Sequence, residues 1–419
     1  MPPRSQLHID LGAVDRNLAV IREAVDRPEG TAARVCAVLK ADGYGLGAPA
    51  LAKRLAAGGV SLLAVFSLEQ ARALVDAAIA TPILVLAPVG GLARDDRLFY
   101  AASRGLLQFT VHDPEQLGRL IRLAESLGLD LPLHLEVDTG MSRGGVPLGG
   151  RGEADVLLAR INEHPRLRLA GVLTHHAAAD VDAAILRRQH EAFGAWLDAN
   201  AGAIGPGCLV HEANSFALWR TRSTHRSMVR VGLSLLGYGI EELVDPDDPG
   251  LRALAERLTP AVRWTSHVMQ RKSIPAGATV GYGATWRAER PTRLAIVPVG
   301  YSDGYPLSLS SRATAAVVAP DGRRRLVPVV GRVSMDQITL DVTDLDDADA
   351  PVGAEVELVS AERGDPHALP ELARRAGTIT HELLCRLHPS IERRYLTPAG
   401  AGRGGAGRSA PAVRRGRAG

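Results

Sequence analysis

Lysine is almost missing from this chain. Of its 49 basic residues only Lys40, Lys53 and Lys272 are lysines; the other 46 are arginines. An arginine does not give up its proton, so each of the few lysines raises the question of whether a neutral amine is needed there. Cysteine is also scarce. Cys36, Cys208 and Cys385 lie far apart, which argues against a disulfide framework and against a cysteine-based zinc site. No apolar run approaches the ~20 residues of a membrane helix. The opening MPPRSQLHID has neither a basic stretch nor an apolar one, so no secretory signal is visible and a soluble, cytoplasmic protein is expected. With 46% apolar and 23% charged residues, most of the chain fits neither a disordered nor a collagen-like composition.

The 419 residues suffice for two or three domains with ample core. The net charge of +3 is set by the tail: residues 398–419 hold Arg403, Arg408, Arg414, Arg415 and Arg417 and no acid, and without these five the charge is −2. This Gly/Ala/Arg segment has nothing to bury and is expected to be disordered, a solvated extension rather than a nucleic-acid arm. After an amphipathic stretch, Leu11 to Val25, short β-rich runs alternate with helical segments. Strands are expected at Val35–Leu39, Ser61–Phe66, Ile83–Leu86, Gln108–Val111, Leu133–Val137, Leu169–Leu173, Cys208–His211 and Met228–Val231. Eight such units fit a (β/α)8 barrel over residues 7–240, with an open doubly wound sheet as the alternative. Residues 241–397 read as a mainly-β domain, with which the first residues of the chain can pair. Its strands are expected at Ala261–Gln270, Leu294–Val299, Thr314–Ala319, Leu326–Val330, Ile338–Val342 and Glu355–Val359, followed by one helical segment, Leu369–Ala376.

Lys40 closes the first barrel strand in AVLKADGYGLG. Barrel active sites lie at that end, and a lysine among apolar neighbours is destabilised as an ammonium and becomes able to form a Schiff base. The motif resembles the pyridoxal-phosphate lysine motif of the alanine racemase family. The likeness continues, in order, through HLEVDTGMSRGGV (134–146), GVLTHHAAAD (171–180), HEANS (211–215), MVRVGLSLLGYG (228–239), VGYGATW (280–286), VPVGYSDGYP (297–306) and VGRVSMDQ (330–337).

The resemblance implies pyridoxal 5'-phosphate as cofactor, alanine as substrate and a homodimer with shared active sites. It assigns Lys40 and Tyr282 as bases on opposite faces of the substrate Cα, Tyr282 coming from the other subunit. Tyr44, Asn214, Ser215, Gly232 and Leu233 would hold the phosphate, matching the barrel rule that the loops after strands seven and eight bind it. Arg230 would face the pyridine nitrogen, with His175 orienting it. A guanidinium cannot take the pyridinium proton, which weakens the electron sink and disfavours transamination. Arg143 would bond the cofactor's phenolic oxygen and the substrate carboxylate, while Tyr301, Met335 and Asp336 would position substrate. No metal is implied.

Three positions depart from the family pattern. Glu136 stands where many relatives carry a carbamylated lysine, and is expected to hold Arg143 directly. Ser334 stands in place of a common cysteine. Pro389 stands where many relatives have a tyrosine near the phosphate, which would open room beside the substrate Cβ. The alternatives are accordingly a broader-specificity or serine racemase on the same frame, or a decarboxylase using the same cofactor.

Overall fold

The computed structural model describes residues 4–26, 32–148, 152–243 and 248–397; the basic tail lies outside the described residues. Eight parallel strands run Arg34–Val38, Leu62–Val65, Ile83–Val85, Leu107–Val111, Leu131–Asp138, Leu167–Leu173, Leu209–His211 and Met228–Val231. The first seven pair in succession, and the eighth pairs back onto the first through Met228↔Arg34 to Val231↔Ala37. The remaining gap, between the seventh and eighth strands, is spanned by Ser227 N–H to Val210 O (3.1 Å) and Arg230 N–H to Ala213 O (2.9 Å). The sheet is thus a nearly closed barrel, and the open-sheet alternative is excluded.

Strands buried on both faces read as apolar runs, which is why they were legible. Outward residues such as Leu63, Val65, Ile83 and Val85 join the large core shared with the helices. Inward residues Cys36, Leu62, Ala64, Leu84 and Met228 form a small separate cluster in the lumen. Helices start where a side chain can satisfy their free N–H groups. Ser67, Asp96, Asp113, Asp182 and Asn214 each cap the helix that follows, at about 1 kcal/mol apiece. The links from strand end to cap are only one or two residues at Ser67, Asp113 and Asn214, which ties the side chains there closely to the barrel.

The amphipathic stretch is a helix over Leu11–Val25, capped by Asp10. Ahead of it, Gln6–Asp10 pairs antiparallel with Val262–His267 and parallel with Glu392–Leu396. Both ends of the described chain therefore meet in one six-stranded sheet, completed by Glu355–Val359, Thr314–Val318 and Arg324–Pro328. A second sheet joins Gln270–Ile274, Thr292–Val297 and Ile338–Asp341. Two expectations need correction. Ala261–Gln270 is not one strand, because the chain leaves one sheet at His267 and enters the other at Gln270. The C-terminal part holds two helices rather than one: Leu369–Ala376 ends at Gly377, and Thr380–Arg386 follows. Seven residues are too few to show a helical period, and the charged edge strand ERRYL (392–396) shows no alternation.

Candidate active site

Met228 faces the lumen, so Arg230, two residues further along the same strand, faces it too. It is 5% exposed. Its Nη1 donates to the His211 carbonyl (2.6 Å) and lies 3.0 Å from His211 Nδ1. Its Nη2 donates to the Thr174 carbonyl (2.8 Å) and lies 3.2 Å from His175 Nδ1. Nε makes no hydrogen bond among the described residues, and Arg230 lines a cavity of about 940 Å³ at the C-terminal mouth of the barrel.

Behind Arg230 the bonds continue across the lumen. His211 Nε2 is 2.8 Å from His134 Nδ1, and His134 Nε2 is 2.6 Å from Gln108 Oε1. One set of protons satisfies every member. Arg230 donates to Nδ1 of His211, whose Nε2–H donates to Nδ1 of His134, whose Nε2–H donates to Gln108. Both imidazoles are neutral in that arrangement. Burial, then the Arg230 charge, pushes His134 down to about 3 and His211 well below its ordinary value. His175 is lowered by the same two causes in the same order. The sequence points to His175 behind Arg230; His211, which holds it more closely, opens the HEANS motif, but nothing along the chain shows that its ring reaches Arg230 from the neighbouring strand.

Lys40 reaches the same cavity from the first strand. Burial lowers its pKa first, and the positive Arg143 and Arg230 lower it further. The turn after it is left-handed over four successive residues: Ala41 (φ 52°), Asp42 (53°), Gly43 (62°) and Tyr44 (62°). Each L-residue held so costs about 1–2 kcal/mol. The turn is fixed by Gly43 N–H to Leu39 O (2.9 Å), Gly45 N–H to Ala41 O (2.8 Å) and Ala48 N–H to the Asp42 carboxylate (2.8 Å). It carries the Tyr44 ring under the cavity, against His381 at 5.8 Å between centroids.

On the opposite rim Ser215 Oγ accepts from the N–H groups of Gly232 (3.2 Å) and Ser234 (3.3 Å). A Cβ on Gly232 would fall well inside contact with the Tyr44 hydroxyl, so the cradle between strands seven and eight exists only because that residue is glycine. Asn214 caps its helix through Phe216 and Ala217 N–H while also lining the cavity. Leu233 is buried in the core beneath and is not among the cavity residues.

Arg143 lines the cavity, but the expected Glu136–Arg143 pair is not formed. Arg143 has no ion pair or hydrogen bond among the described residues, and Glu136 Oε2 instead lies 2.9 Å from His112 Nδ1. The alternation of the fifth strand turns Glu136 inward toward the end of the fourth, where His112 stands. Pro389 needs the same correction. It is exposed and lies outside the cavity wall, because the helix Thr380–Arg386 turns His381 into the cavity and carries Pro389 past it. Neither nearby ring enters in its place: Tyr395 donates to the Leu46 carbonyl (2.8 Å), and His388 is 2.7 Å from Ser390 Oγ.

Tyr282, Tyr301, Met335 and Asp336 are not cavity residues of this chain. Tyr282 is 71% exposed on the C-terminal domain, as are Met335 at 55% and Tyr301 at 45%. Their loops pack together through Tyr301 N–H to Ser334 O and Ser302 N–H to Met335 O, both 3.0 Å, and through Val280 against Val330. A separate trio of metal-ligand types, Glu357, Asp365 and His367, is already filled by the Arg324 guanidinium, which reaches all three.

Residues 9–239 match the family described as alanine racemase, N-terminal domain, and residues 261–395 match alanine racemase, C-terminal domain. The chain belongs to the alanine racemase family. Among its relatives is the alanine racemase of Cutibacterium acnes, 34% identical over 400 residues, covering 94% of this chain and 98% of that one. An alanine racemase structure from Bartonella henselae with covalently bound pyridoxal phosphate superposes with a TM-score of 0.75 at 28% identity, covering 94% of this chain and all of that one (100%). One from Bacillus anthracis with bound L-Ala-P gives 0.78 at 28% identity, covering 94% and 96%. Against this family background, the His112–Glu136 pair and the cavity-facing His381 are features that the motif comparison with alanine racemases did not single out.

Proposed function

We propose that this chain is a pyridoxal-phosphate-dependent alanine racemase, acting as a cytoplasmic homodimer. The observation that carries the reading is the meeting of Lys40, Arg143 and Arg230 in one cavity, opposite the glycine cradle of Ser215 and Gly232. The residues present fit the cofactor. The cradle sets the Ser215 and Tyr44 hydroxyls beside a glycine backbone with no Cβ, polar donors of the kind a phosphate dianion needs. Arg230 offers an Nε–H, and Lys40 an amine whose proton is held loosely. When bound, the cofactor supplies the electron sink that makes the substrate Cα acidic.

The remaining work falls to side chains. Lys40 as a neutral amine takes or returns the Cα proton on one face. Arg230 stays charged, because its four Nη protons are engaged by fixed acceptors and a guanidinium does not deprotonate under these conditions. Arg143, without a counter-ion, is available to a carboxylate. A proton must also move on the other face of Cα. The exposed Tyr282, with Tyr301 and Met335 beside it, suits the task in the active site of a second copy, and Tyr282 of the partner subunit is the second base.

No helix among the described residues is long and apolar enough to cross a membrane. A broader-specificity racemase is not favoured, since Pro389 does not border the cavity. The test is chiral chromatography of products from a panel of L-amino acids, with molecular mass measured by sedimentation. Alanine should be racemised fastest by a dimeric species. Turnover of another amino acid in preference, or full activity from a monomer, would refute the reading.

A further inference from the structure

His112 follows the fourth barrel strand and faces Glu136 of the fifth. Each side chain is 13% exposed. The His112 Nε2 lies 2.7 Å from the Leu86 carbonyl oxygen at the end of the third strand. A carbonyl only accepts, so Nε2 carries a hydrogen. Nδ1 lies 2.9 Å from Glu136 Oε2, off the ideal N–H direction but too close for two bare lone pairs. The protonated ring therefore suits this place, since it sets a hydrogen rather than a second lone pair beside the carboxylate. Burial lowers the His112 pKa, yet the hydrogen bond and charge of Glu136 outweigh it, and the Leu86 carbonyl and Asp113 add to the rise above 6.5. With the ring protonated, the two residues form an imidazolium–carboxylate pair with no net charge.

That pair lies directly beneath the loop that carries Arg143. Asp138 gathers the N–H groups of Gly140, Met141 and Ser142 onto its carboxylate, at 2.9, 2.8 and 3.0 Å. The backbone then passes over His112 so closely that a Cβ on Gly144 would stand 3.3 Å from Nδ1 and 3.7 Å from Glu136 Oε2. Glu136 is near enough to act on the charge of Arg230, which shares the cavity with Lys40 and Arg143. An unneutralised carboxylate at this place would compete with any anion for those cations.

We propose that His112 is a positioning residue that neutralises Glu136, so that Arg143 keeps its charge for a carboxylate ligand in the cavity. The inference rests on the reading of Arg143 as the carboxylate-binding group given above. The groups facing His112 are Glu136, the Leu86 carbonyl, the Gly144 backbone and, on its own segment, Asp113 and the Gln116 amide oxygen that accepts its backbone N–H. Loss of the His112 proton turns the pair into a net negative charge. Carboxylate affinity should then fall as pH rises through the raised His112 pKa.

Nuclear magnetic resonance of the holoenzyme tests this without turnover. The His112 ring should titrate above 6.5 in the wild type and lower in Glu136→Gln. Acetate, followed at the Arg143 side-chain N–H, should bind about tenfold more weakly to His112→Gln at neutral pH, the size of one charge interaction in a partly open site. The double variant His112→Gln/Glu136→Gln, neutral again, should recover most of that loss, and KM for alanine should follow acetate affinity more than kcat does. Failure of the double variant to recover would overturn the proposal and return Glu136 to the role of an anchor for Arg143. Should His112→Gln not fold, the wild type decides: acetate affinity that stays flat across the measured His112 titration overturns it. Normal acetate and ring titrations in a chain that racemises nothing would refute the functional reading while upholding this one.

Discussion

The neutral imidazoles behind Arg230 make the barrel sensitive to acid. His134 has no exposed surface and is pushed down to about 3 from its ordinary 6.5. The unfolded chain therefore takes up a proton below 6.5 that the folded chain refuses, so stability is full above that pH and is lost as pH falls toward 3. Each pH unit well inside that window costs about 1.4 kcal/mol per histidine, and His134 alone loses roughly 2 kcal/mol between pH 6.5, where the unfolded ring is half protonated, and about 4.5. His211, lowered in the same direction, adds a loss of the same sign. In His134→Gln the amide can still accept from His211 but binds no proton. The gap in unfolding free energy between wild type and His134→Gln should therefore narrow, or turn in the variant's favour, by roughly 2 kcal/mol over that range. Urea unfolding at several pH values, followed by fluorescence of the buried Trp219 and Trp264, measures it. A gap that does not change with pH would mean that His134 is protonated in the folded chain, and the proton arrangement along the string would be wrong.

Other outcomes follow from the same geometry. Lys40→Ala should lose the absorbance of lysine-bound cofactor and at least about a thousandfold in racemisation, checked by spectrum and chiral assay. Because burial, Arg143 and Arg230 lower Lys40, proton exchange on its face of alanine should rise with pH and level off below the ordinary lysine range, read by deuterium incorporation. Mixed Lys40→Ala and Tyr282→Phe subunits should regain activity that neither variant has alone, since one site of the heterodimer keeps both bases; no recovery after demonstrated exchange would place both bases in one chain. Gly232→Ala should weaken cofactor retention by displacing the Tyr44 hydroxyl, seen as faster cofactor loss on dilution. Bicarbonate should not alter activity, because among the described residues Lys40 is the only lysine bordering the cavity and Glu136 cannot be carbamylated.

Much of this molecule was legible along the chain. The eight barrel strands could be read because parallel strands buried on both faces leave short apolar runs between helical segments. Lys40 stood out twice, by its motif and by the rarity of lysine. Ser215 and Gly232 were pointed to by the barrel rule, since each lies just beyond a strand end that sets the mouth, whereas Arg230 was implied by the family resemblance alone.

Which inward residues meet was a different matter, decided by the tertiary structure. Glu136 was expected to hold Arg143, seven residues on along the chain, yet it pairs with His112 of the neighbouring strand. His211 and His134 join Arg230 to Gln108 across gaps of 19, 77 and 26 residues. Pro389 and His381 exchanged importance because a seven-residue helix, too short to see in the pattern, turns one into the cavity and the other away. Periodicity tells which side of a strand a residue faces, and so the sequence by itself determined the barrel, its mouth and the residue types lining it. Stagger between strands and the turning of short helices bring particular side chains within 3 Å of each other, and those depend on packing throughout the fold. The charge state of the site was settled at that level, because a proton is shared only between atoms that touch.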